Sequence, residues 1–225
     1  MNEHQGVWAV LVAAGRGERL GADLPKAFVK LGELPLLAEP MRRLDESEWV
    51  DAIVVAAPPV WVEPAILLAE EIGADKVRAV VTGGATRADS VRAAVAEIPE
   101  EALVVLVHDA ARPLLPEDVL ERVLAPISEH WDGIVPGLPL SDTVKRVRDD
   151  AVVETVPREG LWTVQTPQAF PAPSFREALA AGGEATDCAG LVEARGGRVK
   201  VVLGDTRLLK VTSPEDLAQV EAWLT

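Results

Sequence analysis

The chain carries a single cysteine, Cys188. It therefore forms no internal disulfide and no thiolate zinc site on its own, which predicts a reducing compartment and leaves a catalytic thiol as that side chain's one special chemistry. No apolar run is long enough to cross a bilayer, and the amino-terminal MNEHQGVW lacks the basic and then apolar build of a secretory signal. Both absences predict a cytoplasmic protein without a membrane partner. A surplus of positive charge is missing too: 22 Lys and Arg stand against 36 Asp and Glu, a formal net charge of −14. Bulk attraction to nucleic acid or anionic lipid is excluded on that ground. An acidic protein that handles phosphates must gather its cations locally, so the positions of the basic residues matter more than their number.

What is present reads as a folded α/β chain. Its 225 residues suit one domain with a small appendage. Short β-branched runs recur at Val7 to Val12, Ala52 to Ala57, Val77 to Val81, Ala102 to Asp109 and Val199 to Leu203. They are continuously apolar rather than alternating, as in strands covered by helices on both faces. Helical patterns lie between them at Leu36 to Leu44, Pro64 to Ile72, Arg87 to Ile98, Glu117 to His130 and Pro214 to Leu224, the last opened by Ser213 as N-cap with Pro214 in the first turn. Alternating strands and helices predict a doubly wound, mostly parallel sheet, with ligands bound at the carboxyl ends of its strands. One stretch breaks the alternation. Ser141 to Trp162 holds two β-prone runs around Asp149-Asp150 and reads as a hairpin, packed either against a second copy of the chain or along its own domain.

Several stretches have the residue types that chemistry needs. AAGRGERLGADLPKAF follows the first strand, with Gly15 and Gly17 spaced as in a dinucleotide fingerprint, but Leu20 occupies the position of the third glycine. The Gly-Lys-Ser/Thr of a P-loop is absent as well. What remains is a glycine loop followed by Arg19 and Lys26, a combination suited to a triphosphate: backbone N–H groups approach the anion, and cations neutralise charge that develops at phosphorus. VTGGATRADSV repeats the theme, with Gly83 and Gly84 before a helix start carrying Arg87 and Ser90. Asp109 ends a strand in VLVHDAARP, where a carboxylate holds Mg²⁺ or a substrate hydroxyl, or simply pairs with Arg112. His108 beside it has no matching ligand cluster for a metal. Arg158 to Phe170 is dense in hydrogen-bonding side chains, Thr186 and Asp187 open a further helix, and Lys210 precedes the final one.

Taken in order, AAGRGERLGADLPKAF, VTGGATRADSV, VHDAARP, DTVKRV, REGLWTVQTPQAF, TDCAGLVE and LLKVTSPEDL resemble the 2-C-methyl-D-erythritol 4-phosphate cytidylyltransferases of the non-mevalonate isoprenoid pathway. The resemblance implies a single nucleotidyltransferase domain over 1–225, Rossmann-like in fold, with a β-arm at about 141–158. CTP would lie over the first loop with Mg²⁺ on its phosphates, Asp109 being a possible further metal contact. Ala13, Ala14, Gly15, Gly17, Gly83 and Ser90 would line the nucleotide site, and Arg19 and Lys26 would stabilise the transition state. The family uses its hairpin as a dimer arm. Thr143 and Arg158 would thus arrive from a second copy in a homodimer, Arg158 and Lys210 would position the attacking phosphate, and Asp109, Arg112, Thr166 and Thr186 would complete that pocket. One departure stands out, because Leu208 and Leu209 precede Lys210 where the family usually has Asn and Ile. Rival readings are a ribitol 5-phosphate cytidylyltransferase, a nicotinamide-dependent oxidoreductase, against which Leu20 argues, and a non-catalytic nucleotide-binding regulator.

Overall fold

The computed structural model describes residues 6–15, 24–183 and 185–224. Along them run β1 (Val7–Val12), the small pair β2 (Lys30–Leu31) and β3 (Leu34–Pro35), α1 (Ala38–Glu46), β4 (Ala52–Ala57), α2 (Val62–Glu71), β5 (Val77–Thr82), α3 (Arg87–Val95), β6 (Val104–Asp109) and α4 (Glu117–Leu124). The second half adds β7 (Gly133–Pro139), β8 (Val144–Arg148), β9 (Ala151–Val156), β10 (Trp162–Val164), β11 (Gln168–Pro171), α5 (Ala172–Ala181), α6 (Cys188–Glu193), β12 (Val199–Leu203) and α7 (Pro214–Leu224).

The sheet is parallel where the apolar runs predict it. β6, β1, β4 and β5 lie side by side in that order and in one direction. Every residue of β4 and β6 is buried, because helices cover both faces. Leu11, Ile53, Val55 and Leu106 pack towards α1, α2 and α4 through Met41, Leu68 and Leu120. Val10, Val54, Val105 and Val107 pack towards α3, α5 and α6 through Val91, Phe175 and Leu191. Two-sided burial is why these strands carry no polar alternation.

Beyond β6 the sheet becomes mixed. β11 lies antiparallel between β6 and β7, while Gly137 of β7 pairs with Val164 of antiparallel β10 on one edge and Leu203 of parallel β12 on the other. The sequence reading does not include β7, β10, β11 or α5. The Gly-Ile-Val-Pro-Gly-Leu-Pro of β7 has the punctuation of a loop, yet neighbours on both edges hold it extended, with the Pro136 carbonyl accepting from the Gln165 N–H at 2.8 Å. The helix expected to run to His130 stops at Leu124; Pro126 lies in the 3-10 turn Ala125–Ser128, and His130 takes a positive φ of 66°. Likewise α3 ends at Val95 rather than Ile98. β1, β4, β12 and α7 have the expected bounds, and Ser213 accepts from the Asp216 N–H at 3.3 Å while the Asp216 carboxylate accepts from the Ser213 N–H at 2.9 Å, a reciprocal cap.

The hairpin stands apart from the main sheet, since among the described residues β8 and β9 pair only with each other. Asp149 and Asp150 turn it with φ of 48° and 61°, the left-handed conformation of a tight two-residue connection. Arg146 pairs with Glu154 and Val147 with Val152, so Val153 is the extra residue of a bulge. Among the described residues no helix is long and apolar enough to cross a membrane.

Phe170 of β11 and Phe175 of α5, both fully buried, stack with centroids 4.3 Å apart at an interplanar angle of 8°. This contact ties the antiparallel half of the sheet to its helices. Phe175→Ala is expected to lower stability by about 3–5 kcal/mol, read as a reduced urea midpoint with an unchanged slope.

Candidate active site

The strand order sets the position of the site. From β1 the chain winds outward through β4 and β5, then crosses back to place β6 on the other side of β1. The carboxyl ends of β1 and β6 therefore flank a crevice where the winding reverses, the place at which open α/β sheets bind ligands. A cavity of about 590 Å³ opens there, lined by the segments that leave β1, β4, β5 and β6.

Two glycine-bearing loops form its floor. Ala13 donates its N–H to the Ala56 carbonyl at 2.8 Å, and Gly83 donates to the Ala57 carbonyl at 2.7 Å, so both loops are tied to the end of β4. They also touch each other, because a Cβ on Gly83 would lie 2.3 Å from that of Ala14 and 2.9 Å from Ser90 Oγ. Packing alone thus demands glycine at 83. At Gly15 the reverse holds: among the described residues a Cβ there would meet nothing within 4 Å. Ser90 is buried, and its hydroxyl accepts from the Gly84 N–H at 3.1 Å and donates to the Thr86 carbonyl at 3.0 Å. Thr86 in turn caps α3 in a capping box with Asp89.

Asp109, at the end of β6, is the only carboxylate lining the cavity among the described residues. Arg87 approaches Oδ1 with Nε and Nη2, each at 2.9 Å, and Lys210 Nζ donates to Oδ2 at 2.7 Å. Burial by itself would raise the pKa of this carboxyl, but the charges and hydrogen bonds of Arg87 and Lys210 outweigh it and hold the group well below the usual carboxylate range. Arg87 Nη1 also donates to Cys188 Sγ at 3.1 Å. Burial pushes the Cys188 thiol up, which makes it a packing group rather than a nucleophile. Lys210 is delivered by a segment pinned on both sides. Val211 donates its N–H to the Ala111 carbonyl at 2.8 Å, its own carbonyl accepts from Lys26 Nζ at 2.8 Å, and Arg112 Nη1 donates to the Leu208 carbonyl at 2.5 Å. Leu208 is fully buried in the core with Leu115 and Leu120, so its side chain serves packing and does not line the cavity.

Behind Asp109 lies a short polar chain. The Asp109 N–H donates to Thr166 Oγ1 at 3.1 Å, that hydroxyl lies 3.1 Å from His108 Nδ1, and His108 Nε2 lies 2.9 Å from the Arg112 carbonyl. A carbonyl only accepts, so Nε2 carries the proton and Nδ1 accepts from Thr166. Gln165 and Gln168 are equally committed: Gln165 bonds the backbone of Asp205, and Gln168 Nε2 donates to Asp187 Oδ2 at 2.8 Å. Asp187 caps α6 through the Gly190 N–H at 2.9 Å.

Of the residues expected at the site, the fold brings Ala13, Ala14, Gly15, Lys26, Gly83, Ser90, Asp109 and Lys210 to one cavity. Thr166 sits behind Asp109, Arg112 turns to Leu208, and Thr186, Thr143 and Arg158 are exposed and do not line this cavity. Gly17 and Arg19 lie outside the described residues. The lining adds Arg87, Thr86, Pro58 and Pro59. Pro58 and Pro59 have a visible signal, two prolines closing a strand. Arg87 stands out in the sequence only as a charge near a helix start, and its pairing with Asp109 depends on the crossover from β5 to β6.

Among the described residues three cations, Lys26, Arg87 and Lys210, and one carboxylate line a cavity between glycine-bearing loops at the switch of a doubly wound sheet. This fold and site define a nucleotidyltransferase rather than a dinucleotide-dependent oxidoreductase. The model of the family described as 2-C-methyl-D-erythritol 4-phosphate cytidylyltransferase matches residues 7–225. The protein of that name from Saccharopolyspora erythraea is 48% identical over 223 residues, covering 97% of this chain and 99% of its own. That from Frankia casuarinae is 46% identical over 220 residues, covering 97% of this chain and 81% of its own. The crystal structure of a 4-diphosphocytidyl-2C-methyl-D-erythritol synthase superposes with a TM-score of 0.84 at 33% identity, covering 98% of this chain and 100% of its own. The chain belongs to the 2-C-methyl-D-erythritol 4-phosphate cytidylyltransferase family.

Two measurements check this geometry. Gly83→Ala is expected to raise the KM for the nucleotide at least about tenfold, since the loop must move away from Ala14. Burial pushes the His108 imidazole from 6.5 down to about 4. Between those values the unfolded chain binds a proton that the folded one refuses, so stability falls as the pH drops. The loss reaches about 2 kcal/mol at pH 5, and His108→Gln is expected to flatten that part of the acid slope in urea titrations.

Proposed function

We propose that the cavity holds CTP and that the 4-phosphate of 2-C-methyl-D-erythritol 4-phosphate attacks its α-phosphorus. One P–O bond forms to the acceptor phosphate, the bond between the α-phosphorus and the bridging oxygen breaks, and pyrophosphate leaves with the electron pair. The convergence of Lys26, Arg87 and Lys210 on a glycine-floored crevice is the observation that carries this reading. Such a reaction needs alignment and charge neutralisation rather than a covalent intermediate. Arg19 and Lys26 neutralise charge at the crowded phosphorus, with Ala13, Ala14, Gly15, Gly17, Gly83 and Ser90 around the nucleotide.

Among the described residues no group of three His, Cys, Asp or Glu is placed to hold a metal, and the one carboxylate of the cavity is already paired with two cations. The described residues therefore do not form a cage of their own. Mg²⁺ would be held by the CTP phosphates and would offset their charge, while Asp109 is committed to Arg87 and Lys210.

The acceptor site is completed by a second copy of the chain. A free two-stranded hairpin is marginal in water, and Val147, Val152 and Val153 are all more than half exposed on this one. A homodimer covers them and carries Thr143 and Arg158 to the neighbouring cavity, where Arg158 and Lys210 position the attacking phosphate beside Asp109, Arg112, Thr166 and Thr186. The unpaired Cys188 suits a cytoplasmic setting.

Pyrophosphate release from CTP with Mg²⁺ tests the reading, with 2-C-methyl-D-erythritol 4-phosphate and ribitol 5-phosphate compared in parallel. Release is expected with the first; release with ribitol 5-phosphate alone would reassign the acceptor. Lys26→Ala is expected to lower kcat by about 10²-fold or more while CTP affinity changes little, because its charge acts mainly in the transition state. Mixed dimers of Lys26→Ala and Arg158→Ala chains are expected to recover activity that neither parent shows. Failure of recovery with subunit exchange confirmed would count against a shared site.

A further inference from the structure

Arg87 and Lys210 hold opposite oxygens of Asp109, but they are not equivalent partners. Arg87 rises from the first turn of α3, has a second anchor at Cys188 Sγ and is only 26% exposed in its side chain. Lys210 is 41% exposed, and among the described residues its ammonium bonds Asp109 Oδ2 alone. A guanidinium is a planar, pre-organised fork, whereas an ammonium on a four-carbon stem is a mobile point charge. A phosphate arriving in the cavity competes for the mobile cation. Were Lys210 the sole partner of Asp109, that competition would strand a carboxylate that is nearly buried, which is costly.

We propose that Arg87 is the resident counter-ion of Asp109, a positioning residue that frees Lys210 to exchange from Asp109 to the phosphate of the acceptor. The exchange rests on the cytidylyl-transfer reading given above; the counter-ion assignment does not. Asp109 keeps its charge and its place at the end of β6 throughout, and Lys210 is stored beside the site until an anion draws it away. Arg87 acts through these two residues.

Two readouts separate the assignment from the reading. The first needs no substrate. In urea unfolding, Lys210→Met is expected to shift the midpoint by less than about 0.3 M and Arg87→Met to lower it by about 1 M or more, with Asp109→Asn in the Arg87→Met background regaining much of the loss. Equal destabilisation by Lys210→Met and Arg87→Met, or no recovery in the double variant, would overturn the assignment whatever the enzyme's activity. The second readout is kinetic. Arg87→Met is expected to raise the KM for 2-C-methyl-D-erythritol 4-phosphate by about 30-fold while the KM for CTP changes by less than about threefold, and the added Asp109→Asn to recover about tenfold. Arg87→Lys, which keeps the charge, is expected to stay within about tenfold of wild type and guards against a folding defect in the methionine variant. A double variant no better than Arg87→Met would overturn the exchange. A wild-type protein silent with this acceptor would remove the cytidylyl-transfer reading and the exchange with it, while the unfolding measurements would still decide the counter-ion.

Discussion

A buried carboxylate at the end of a buried strand is the constraint on which the cavity depends. Asp109 ends β6 with its side chain almost shielded from water, so it stays ionised only because Arg87 and Lys210 reach it from α3 and from the segment before α7. At this group, as at the Lys26–Val211 and Arg112–Leu208 bonds, the two halves of the chain meet. The pairing also fixes where positive charge stands in a protein whose formal net charge is −14. Acidic surfaces repel polyanions at long range, and a local excess of cations over a narrow crevice reverses that field where it matters.

Around the carboxylate, hydrogen bonds do the positioning that a ligand needs beforehand. The chain through Thr166 and His108 to the Arg112 carbonyl holds the backbone at both sides of Asp109, and burial keeps the imidazole neutral so that the chain has one direction. The glutamines that precede and follow Thr166 stitch β11 to the Asp205 turn and to the start of α6. Polar side chains that read from sequence as ligand contacts thus spend their hydrogen bonds inside the protein. What they present to a ligand is order rather than direct contact.

The two glycine loops illustrate separate uses of one residue type. Gly83 is demanded by the protein itself, since Ala14 and Ser90 leave no room for a Cβ. At Gly15 no described atom would oppose a Cβ, so packing among the described residues does not demand glycine there. The hairpin shows a similar division. Its turn is specified locally by two residues at positive φ, while its exposed valines have no counterpart within the described chain. A second copy supplies that counterpart in the dimer proposed for the family's arm.

Much of this was legible before any coordinates. Continuous β-branched runs marked β1, β4, β5, β6 and β12 because two-sided burial removes polar alternation, and the caps of α6 and α7 were readable because capping is local chemistry. Eight of the expected site residues meet at one cavity because most of them lie at strand ends, in the loops that leave them, or in the first turn of a helix, features with a local signature. By contrast, β7 has the punctuation of a loop and becomes a strand only between its neighbours, and Pro126 cuts a helix whose apolar pattern continues past it. The sequence by itself determined the parallel sheet, the loops at its carboxyl edge and the family. Only the tertiary structure decided that Arg87 and Lys210, 22 and 101 residues from Asp109, are its two partners, because an ion pair depends on distance in space and the crossover from β5 to β6 sets that distance.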